Sequence, residues 1–289
     1  MSAQERGGRP SLSFFVPCLN EEGNVGRSID AIVEAMERCD YPYEILVVDD
    51  ASTDGSVAEM LGRCERHAHV SIKLLRNRSR RGLGRNYFLA AHHASGEYFM
   101  LVCGDAVEPP PSIRQIIAHL GEADVVVPYF GARETRTLPR RVLSRTFTAL
   151  INLLSGHRLR YYNGPVLHRT ENVRAWRSDT SGFGYQAELL CRLLDQGASV
   201  VEVQVANSDR NRGFSKAFTP DNLLSVANTC IHIFLRRLER EWQATRFIRE
   251  AKEPPHEAPA VAANGPDGAE QVVGPYGEHV VERPLARRP

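Results

Sequence analysis

Three observations predict an α/β fold, a mixed but mostly parallel sheet with helices on both faces. Short apolar runs such as Ile45–Val48 recur along the chain, the pattern of strands covered on both sides. Segments with helical apolar spacing alternate with them, as parallel crossover connections require. Three of the runs end in polar, acidic stretches, and in open α/β sheets ligands sit beyond the carboxyl ends of the strands. The 289 residues, 42% hydrophobic and 25% charged, suffice for a sizeable core.

In chain order, residues 1–10 form a flexible polar lead without the apolar core of a signal peptide. Leu12–Val16 reads as the first strand, ending in Pro17-Cys18-Leu19-Asn20-Glu21-Glu22. Asn24 can cap a helix whose apolar positions are Val25, Ile29, Ile32, Val33 and Met36. The second strand, Ile45–Val48, stops at Asp49 and Asp50, and Ala51-Ser52-Thr53-Asp54-Gly55 makes a turn into a helix over Ser56–His67. Val70–Leu75 is the third strand, followed by the basic, Gly-containing stretch Arg76–Arg85, read as a solvated loop, and an Ala-rich helix. Tyr98–Val102 is the fourth, ending in Cys103-Gly104-Asp105-Ala106-Val107-Glu108. A helix over Ser112–Leu120 and a strand over Asp124–Val127 complete the first half.

Thereafter the pattern changes. Pro139–Leu154 is a helix with a basic start (Arg140, Arg141, Arg145) and an apolar body. Arg160–Pro165 is a loop, Val166–His168 a short strand and Gly184–Gln196 a helix. Val200–Val205 alternates as an edge or antiparallel strand does. From Leu223 to about Arg249 runs a long amphipathic helix, with Leu224, Ala227, Ile231, Phe234, Leu235, Leu238 and Trp242 on one side. Residues 251–289, rich in Pro, Ala, Gly and Glu, read as a disordered tail. The predicted organisation is therefore a lead (1–10), one α/β domain (11–222), the amphipathic helix (223–250) and the tail.

Lys+Arg 36 against Asp+Glu 35 gives a net charge of +1, which argues for no nucleic-acid partner. Six cysteines without a CxxC pair read as reduced thiols in a cytoplasmic protein. No run nears the ~18 apolar residues of a membrane span, so any membrane contact is expected to be peripheral.

The ordered set PCLNEEGN, VVDDASTDGS, GDAVEPP and DRNRGFSK, spanning roughly Ser11–Arg240, resembles the family-two inverting glycosyltransferases of GT-A (Rossmann-like) fold. Within them it is most similar to the dolichol- or polyprenyl-phosphate sugar synthases. That resemblance implies transfer of a hexose from a nucleoside-diphosphate sugar to a lipid phosphate, at the inner face of the membrane. It implies that Pro17, Asn20 and Glu21 line the nucleotide, that Asp49 and Asp50 bind base and ribose, and that Asp105 binds Mg2+ or Mn2+. Arg210, Gly213, Ser215 and Lys216 match the element that closes over the diphosphate. Arg140 and Ser144 match a helix facing the acceptor phosphate, Asn163 and Gly164 an acceptor-side loop, and Glu188 an acid on the following helix; an alcohol acceptor would need a base, for which Glu188 or Asp105 would be the candidates.

The pattern departs at Cys103, where the first acid of the family's D-x-D motif is expected. Sulfur is a poor ligand for Mg2+ or Mn2+, so metal dependence is expected to weaken unless Asp105, diphosphate oxygens or Glu108 compensate. Two alternatives stay open: the same fold acting on a soluble or polysaccharide acceptor, and a non-catalytic sugar-nucleotide-binding protein. The apolar sides of the Pro139–Leu154 and Leu223–Arg249 helices suit a peripheral membrane contact or a homo-oligomer. Arg236, Arg237, Arg240, Arg246 and Arg249 would then face anionic headgroups or keep the outer face wet.

Overall fold

The structure, a computed structural model, describes residues 11–131, 137–176, 182, 184–206 and 220–252. Two compact units divide the chain, Met1–Trp242 and Gln243–Pro289. The sheet and the described site residues belong to the first.

Seven strands form one sheet in the order β3-β2-β1-β4-β6-β5-β7. They are β1 (Leu12–Cys18), β2 (Tyr43–Asp49), β3 (Ser71–Arg76), β4 (Tyr98–Leu101), β5 (Val125–Phe130), β6 (Leu167–Arg169) and β7 (Val200–Val205). Between them lie α1 (Val25–Met36), α2 (Ser56–Arg66), α3 (Leu83–His93), α4 (Pro110–Ile117), α5 (Leu138–Ser155), α6 (Thr170–Arg174) and α7 (Tyr185–Asp195), and α8 (Pro220–Lys252) follows β7. Six strands share one direction, and β6 runs against its neighbours β4 and β5. The expected mixed, mostly parallel sheet is what forms. Residues 200–205 do make an edge strand, parallel to β5.

Side-chain alternation along the strands feeds two apolar layers. Phe15, Leu46, Val48, Phe99, Leu101, Val125 and Val127 pack on one face with Tyr87 and Phe88 of α3, Ile151 of α5 and Leu189 and Leu190 of α7. Leu12, Phe14, Val16, Ile45, Val47, Met100 and Val126 pack on the other with Ile29, Ile32 and Val33 of α1 and Ile113, Ile116 and Ile117 of α4. Both faces are covered, which is why the runs carry no polar alternation. Glu44 is the exception within β2. It is buried, accepts Ser13 Oγ at 2.7 Å and Lys73 Nζ at 2.7 Å, and also accepts the Ser95 N–H. Burial alone would raise its carboxyl; those donors outweigh burial and hold it below the usual range.

The chain leaves β3 at one edge and returns beside β1 as β4, so the order reverses between β1 and β4. Such a reversal opens a crevice at the carboxyl ends. Gly104 lets the two sides close up there: a Cβ on it would run into the carbonyl oxygen of Pro17. Pro17 is tolerated in a central strand because β4 pairs with β1 only as far as Phe15.

α8 turns its apolar side outward, as a peripheral or homo-oligomer contact expects, but not all of its arginines are where they were expected. Leu224 and Trp242 are 70% and 62% exposed, and Ile231, Phe234, Leu235 and Leu238 also face out. Three of its arginines turn inward: Arg236 Nη2 lies 3.7 Å from Glu188, Arg237 donates to Leu153 O at 2.8 Å, and Arg240 binds Asp195 and Ser155 O. Arg236, Arg237 and Arg240 therefore neither meet headgroups nor wet the outer face; they fasten the helix to α7 and to the carbonyl-rich end of α5.

Candidate functional site at the carboxyl edge

Among the described residues, three other than glycine have positive φ, Asn20 (52°), Ala51 (64°) and Ala106 (59°). Each follows one of the tips of β1, β2 and β4. Left-handed backbone in a non-glycine residue persists only where surroundings impose it, and it concentrates at functional sites.

The loops after β1 and β2 are mated group by group. Asn20 N–H donates to Ser52 Oγ at 3.0 Å while Asn20 Oδ1 accepts the Thr53 N–H at 2.8 Å. Glu21 N–H donates to Ser56 Oγ at 2.9 Å, Glu22 N–H to Asp54 at 3.1 Å, and Glu22 accepts the Gly55 N–H at 3.0 Å. Asn24 precedes α1 as expected but does not cap it; its Nδ2 donates to Glu21 at 3.2 Å. The motif residues thus build a rigid double loop from one another.

Asp49 and Asp50 are both buried. Asp49 accepts the Ser52 N–H at 3.0 Å, a turn cap, and pairs with Arg76 Nε at 3.4 Å. Asp50 accepts the Arg81 and Gly82 N–H groups at 2.8 and 2.9 Å and Asn77 Nδ2 at 2.9 Å. Burial would raise the Asp50 carboxyl, but bonds from Asn86, Arg81, Gly82 and Asn77 bring it below the usual range. The basic stretch 76–85 is therefore pinned at the carboxyl edge, with Arg78, Arg80, Arg81 and Arg85 exposed.

Beyond β4, the ligand atoms of Cys103, Asp105 and Glu108 all lie within 4.8 Å of one another. Ser28 of α1 shapes this turn, donating to Cys103 O at 2.7 Å and accepting the Ala106 N–H at 3.1 Å. Cys103 N–H donates to Glu108 Oε2 at 3.0 Å. Burial, and then the neighbouring charge of Asp105, push Glu108 up to about 8. A buried and a half-buried carboxyl side by side suit a cation. Two carboxylate oxygens fit any divalent ion, whereas the sulfur does not fit the oxygen-only shell that Mg2+ prefers.

On the far side of β4, Arg141, Ser144, Arg145 and Thr148 of α5 line a small hollow of about 60 Å³ with Phe130, Arg160 and Tyr161. The four α5 residues sit at i, i+3, i+4 and i+7, one helical face. Arg141 Nε is buried without a hydrogen-bond partner. Arg160 stacks on the Tyr129 ring at 4.5 Å and lies 3.9 Å from Glu202. Arg140, expected here with Ser144, is exposed on the adjacent face and does not line the hollow; Arg141 and Arg145 take that position.

Asn163 and Gly164 lie in the loop that contributes Tyr161, with Gly164 at φ 121° and its carbonyl accepting Gln186 Nε2 at 2.9 Å. Glu188 is buried against α8, with His232 Nδ1 at 3.6 Å and Arg236 at 3.7 Å. Arg210, Gly213, Ser215 and Lys216 lie outside the described residues. Sequence reasoning missed Ser28, Arg141, Arg145 and Arg160. The i, i+3, i+4, i+7 spacing from Arg141 was the available signal for two of them.

Comparison with known proteins agrees with this geometry. Relatives include the undecaprenyl-phosphate 4-deoxy-4-formamido-L-arabinose transferases of Sodalis glossinidius (strain morsitans) and Salmonella choleraesuis (strain SC-B67). The first is 27% identical over 212 residues, 71% of this chain and 62% of the relative. The second is 28% identical over 167 residues, 54% of this chain and 50% of the relative. The matches thus span less than two thirds of those relatives' length. Among solved structures, Mycobacterium tuberculosis glucosyl-3-phosphoglycerate synthase, in complex with Mn2+, UDP-glucose and phosphoglyceric acid, superposes with a TM-score of 0.60 at 18% identity, covering 78% of this chain and 81% of that one. The same enzyme in complex with Mg2+ and UDP gives 0.59, also at 18% identity, covering 78% and 80%. These likenesses show the GT-A fold. The profile of the family described as "Glycosyl transferase family 2" matches residues 13–176, more than half of the sequence, and the chain belongs to that family.

Proposed function

We propose that this protein moves a sugar from a nucleoside-diphosphate sugar to a polyprenyl phosphate, and the three-arginine hollow carries the reading. A phosphate monoester has a second pKa near 6, so near neutrality it is already a nucleophile and needs positioning, not a base. Arg141, Arg145 and Arg160 supply fork-shaped donors and Ser144 and Thr148 hydroxyls, the groups that hold a phosphate. The hollow lies beside β5, two strand spacings from β4 in the sheet order, or about 10 Å. That separation leaves room for one sugar between acceptor and leaving group.

On the donor side the mated loops of β1 and β2 form the wall against which the nucleoside rests. Asp49 and Asp50 fix that wall and offer their remaining lone pairs to base and ribose. Asp105 and Glu108 would hold a divalent cation, which when bound neutralises charge developing on the leaving diphosphate. Arg210 and Lys216 are assigned to the same diphosphate on the strength of their sequence motif. Displacement by the acceptor phosphate in one step inverts the anomeric carbon, and a hexose is the transferred sugar in this reading. With a phosphate acceptor, Glu188 has no proton to remove, consistent with its engagement by α8.

Leu138, Val142, Leu143, Leu150 and Leu153 project from α5 into solvent, next to the hollow. Among the described residues no helix is long and apolar enough to cross a membrane. The α5 face supports peripheral contact with the inner face, placing a lipid phosphate at the arginines. A second reading, a water-soluble phosphate monoester as acceptor, is favoured by one observation: the hollow reads a phosphate and nothing of what it is attached to.

The test incubates the protein with a panel of UDP-, GDP- and dTDP-sugars and either undecaprenyl phosphate or 3-phosphoglycerate. Sugar recovered in the lipid phase, with inverted configuration by NMR, is the expected result. Product confined to the aqueous phase replaces the first reading by the second, and donor binding without turnover under every metal defeats both.

A further inference from the structure

We propose that Cys103, Asp105 and Glu108 select a borderline divalent cation such as Zn2+ or Co2+ over Mg2+, with the Cys103 sulfur as a direct ligand. The inference deepens the proposed function, since the cation would serve the same leaving group, but its binding stands on the donor set alone.

The geometry leaves the sulfur no easy way out. The Cys103 backbone is clamped on both sides, its N–H on Glu108 at 3.0 Å and its carbonyl on Ser28 Oγ at 2.7 Å. Ala106, the residue after Asp105, is held in left-handed backbone with its N–H on the same Ser28 hydroxyl at 3.1 Å. Gly104, between the two ligands, is pressed against the Pro17 carbonyl. The turn therefore presents one sulfur and two carboxylates to a common point, their ligand atoms within 4.8 Å of each other. A cation at about 2.3 Å from sulfur and about 2.0–2.2 Å from oxygen holds ligand atoms somewhat closer than that, a gap small side-chain rotations close.

The chemistry then ranks the ions. Mg2+ asks for six oxygens in a near-ideal octahedron at about 2.0–2.1 Å and gains little from sulfur. Zn2+ accepts S and O together and takes a four-coordinate shell, so three protein ligands leave one position for a substrate oxygen. Co2+ adopts similar geometry and stands above Mn2+ in intrinsic affinity. Cysteine coordinates as the thiolate, its proton lost to solvent.

Cobalt makes the sulfur visible. Titrating the full chain with Co2+, without any sugar donor, is expected to give a near-ultraviolet thiolate-to-cobalt charge-transfer band saturating at one equivalent. Zn2+ should remove the band, and Mg2+ in about a thousandfold excess should not. Cys103→Ser should abolish the band with the melting temperature of the metal-free protein unchanged. Cys103→Asp should shift preference towards Mg2+ by at least about tenfold, read as ligand-induced stabilisation. A band that persists in Cys103→Ser, cobalt binding without a band, or equal competition by Mg2+ overturns the proposal. Because no readout involves transfer, a protein that binds cobalt through sulfur yet glycosylates nothing would defeat the proposed function and leave this site standing.

Discussion

The two ends of the carboxyl edge differ in how their polar groups are spent. Around β1 and β2, Asn20, Glu21, Asp49 and Asp50 have partners within the protein, in one another's loops or in the stretch after β3. Around α5, three guanidiniums crowd one hollow and the buried Nε of Arg141 has no partner. A densely paired network resists deformation and shapes a wall, whereas an unsatisfied buried donor costs free energy that a ligand can return. Motif residues on the first side are thus architectural first, and residues outside the motifs on the second side are where a ligand has most to gain.

The largest effect should come from emptying the hollow. Replacing Arg141 and Arg160 together by Ala is expected to lower kcat/KM for the phosphate acceptor about a thousandfold, roughly 4 kcal/mol, with little change in melting temperature. A loss of stability of the same size instead would make the arginines structural and erase the contrast. Gly104→Ala should strike the frame, since the new methyl meets Pro17 backbone that has no rotamer to offer. We expect about 2–4 kcal/mol of destabilisation by urea unfolding. Asp50→Asn keeps the volume but turns an acceptor into a donor facing two N–H groups, an expected loss of about 2 kcal/mol with raised KM for the donor. An unchanged melting curve would show the wall is less densely paired than the distances say.

His168 tests the frame both ends share. It sits in β6 between β4 and β5, wholly buried, with neither ring nitrogen hydrogen-bonded. Burial lowers its pKa from 6.5 to about 3. The unfolded chain therefore takes a proton below pH 6.5 that the folded protein refuses until about pH 3, and stability falls as pH drops through that window. Between pH 7 and 5 the loss should be about 2 kcal/mol, and His168→Leu should flatten it. Arg140→Ala closes the series with the smallest effect, under about threefold in acceptor KM; a larger one would return Arg140 to the role its sequence position suggested.

Much of this was legible beforehand because apolar runs and helical spacing report burial directly. Leu12–Val16, Ile45–Val48 and Tyr98–Val102 all became strands covered on both faces. The reversed direction of β6 was not legible, since three residues carry no directional signal. Nor was the choice between Arg140 and Arg141, because neighbours on a helix differ by about 100° and only the packed structure says which way the hollow faces. Periodicity found the stripe Leu224–Trp242 but not its orientation. That was decided by Glu188, Asp195 and the exposed carbonyls of α5, partners distant in sequence.

Helix α8 worn with its oily side outward has a practical corollary. In plain buffer such a protein should clump or cling to surfaces as its concentration rises, and mild detergent should restore a uniform species. Exchanging Leu224, Ile231 and Leu238 for glutamines should give the same relief, leaving the arginine tethers and the edge of the sheet as they were.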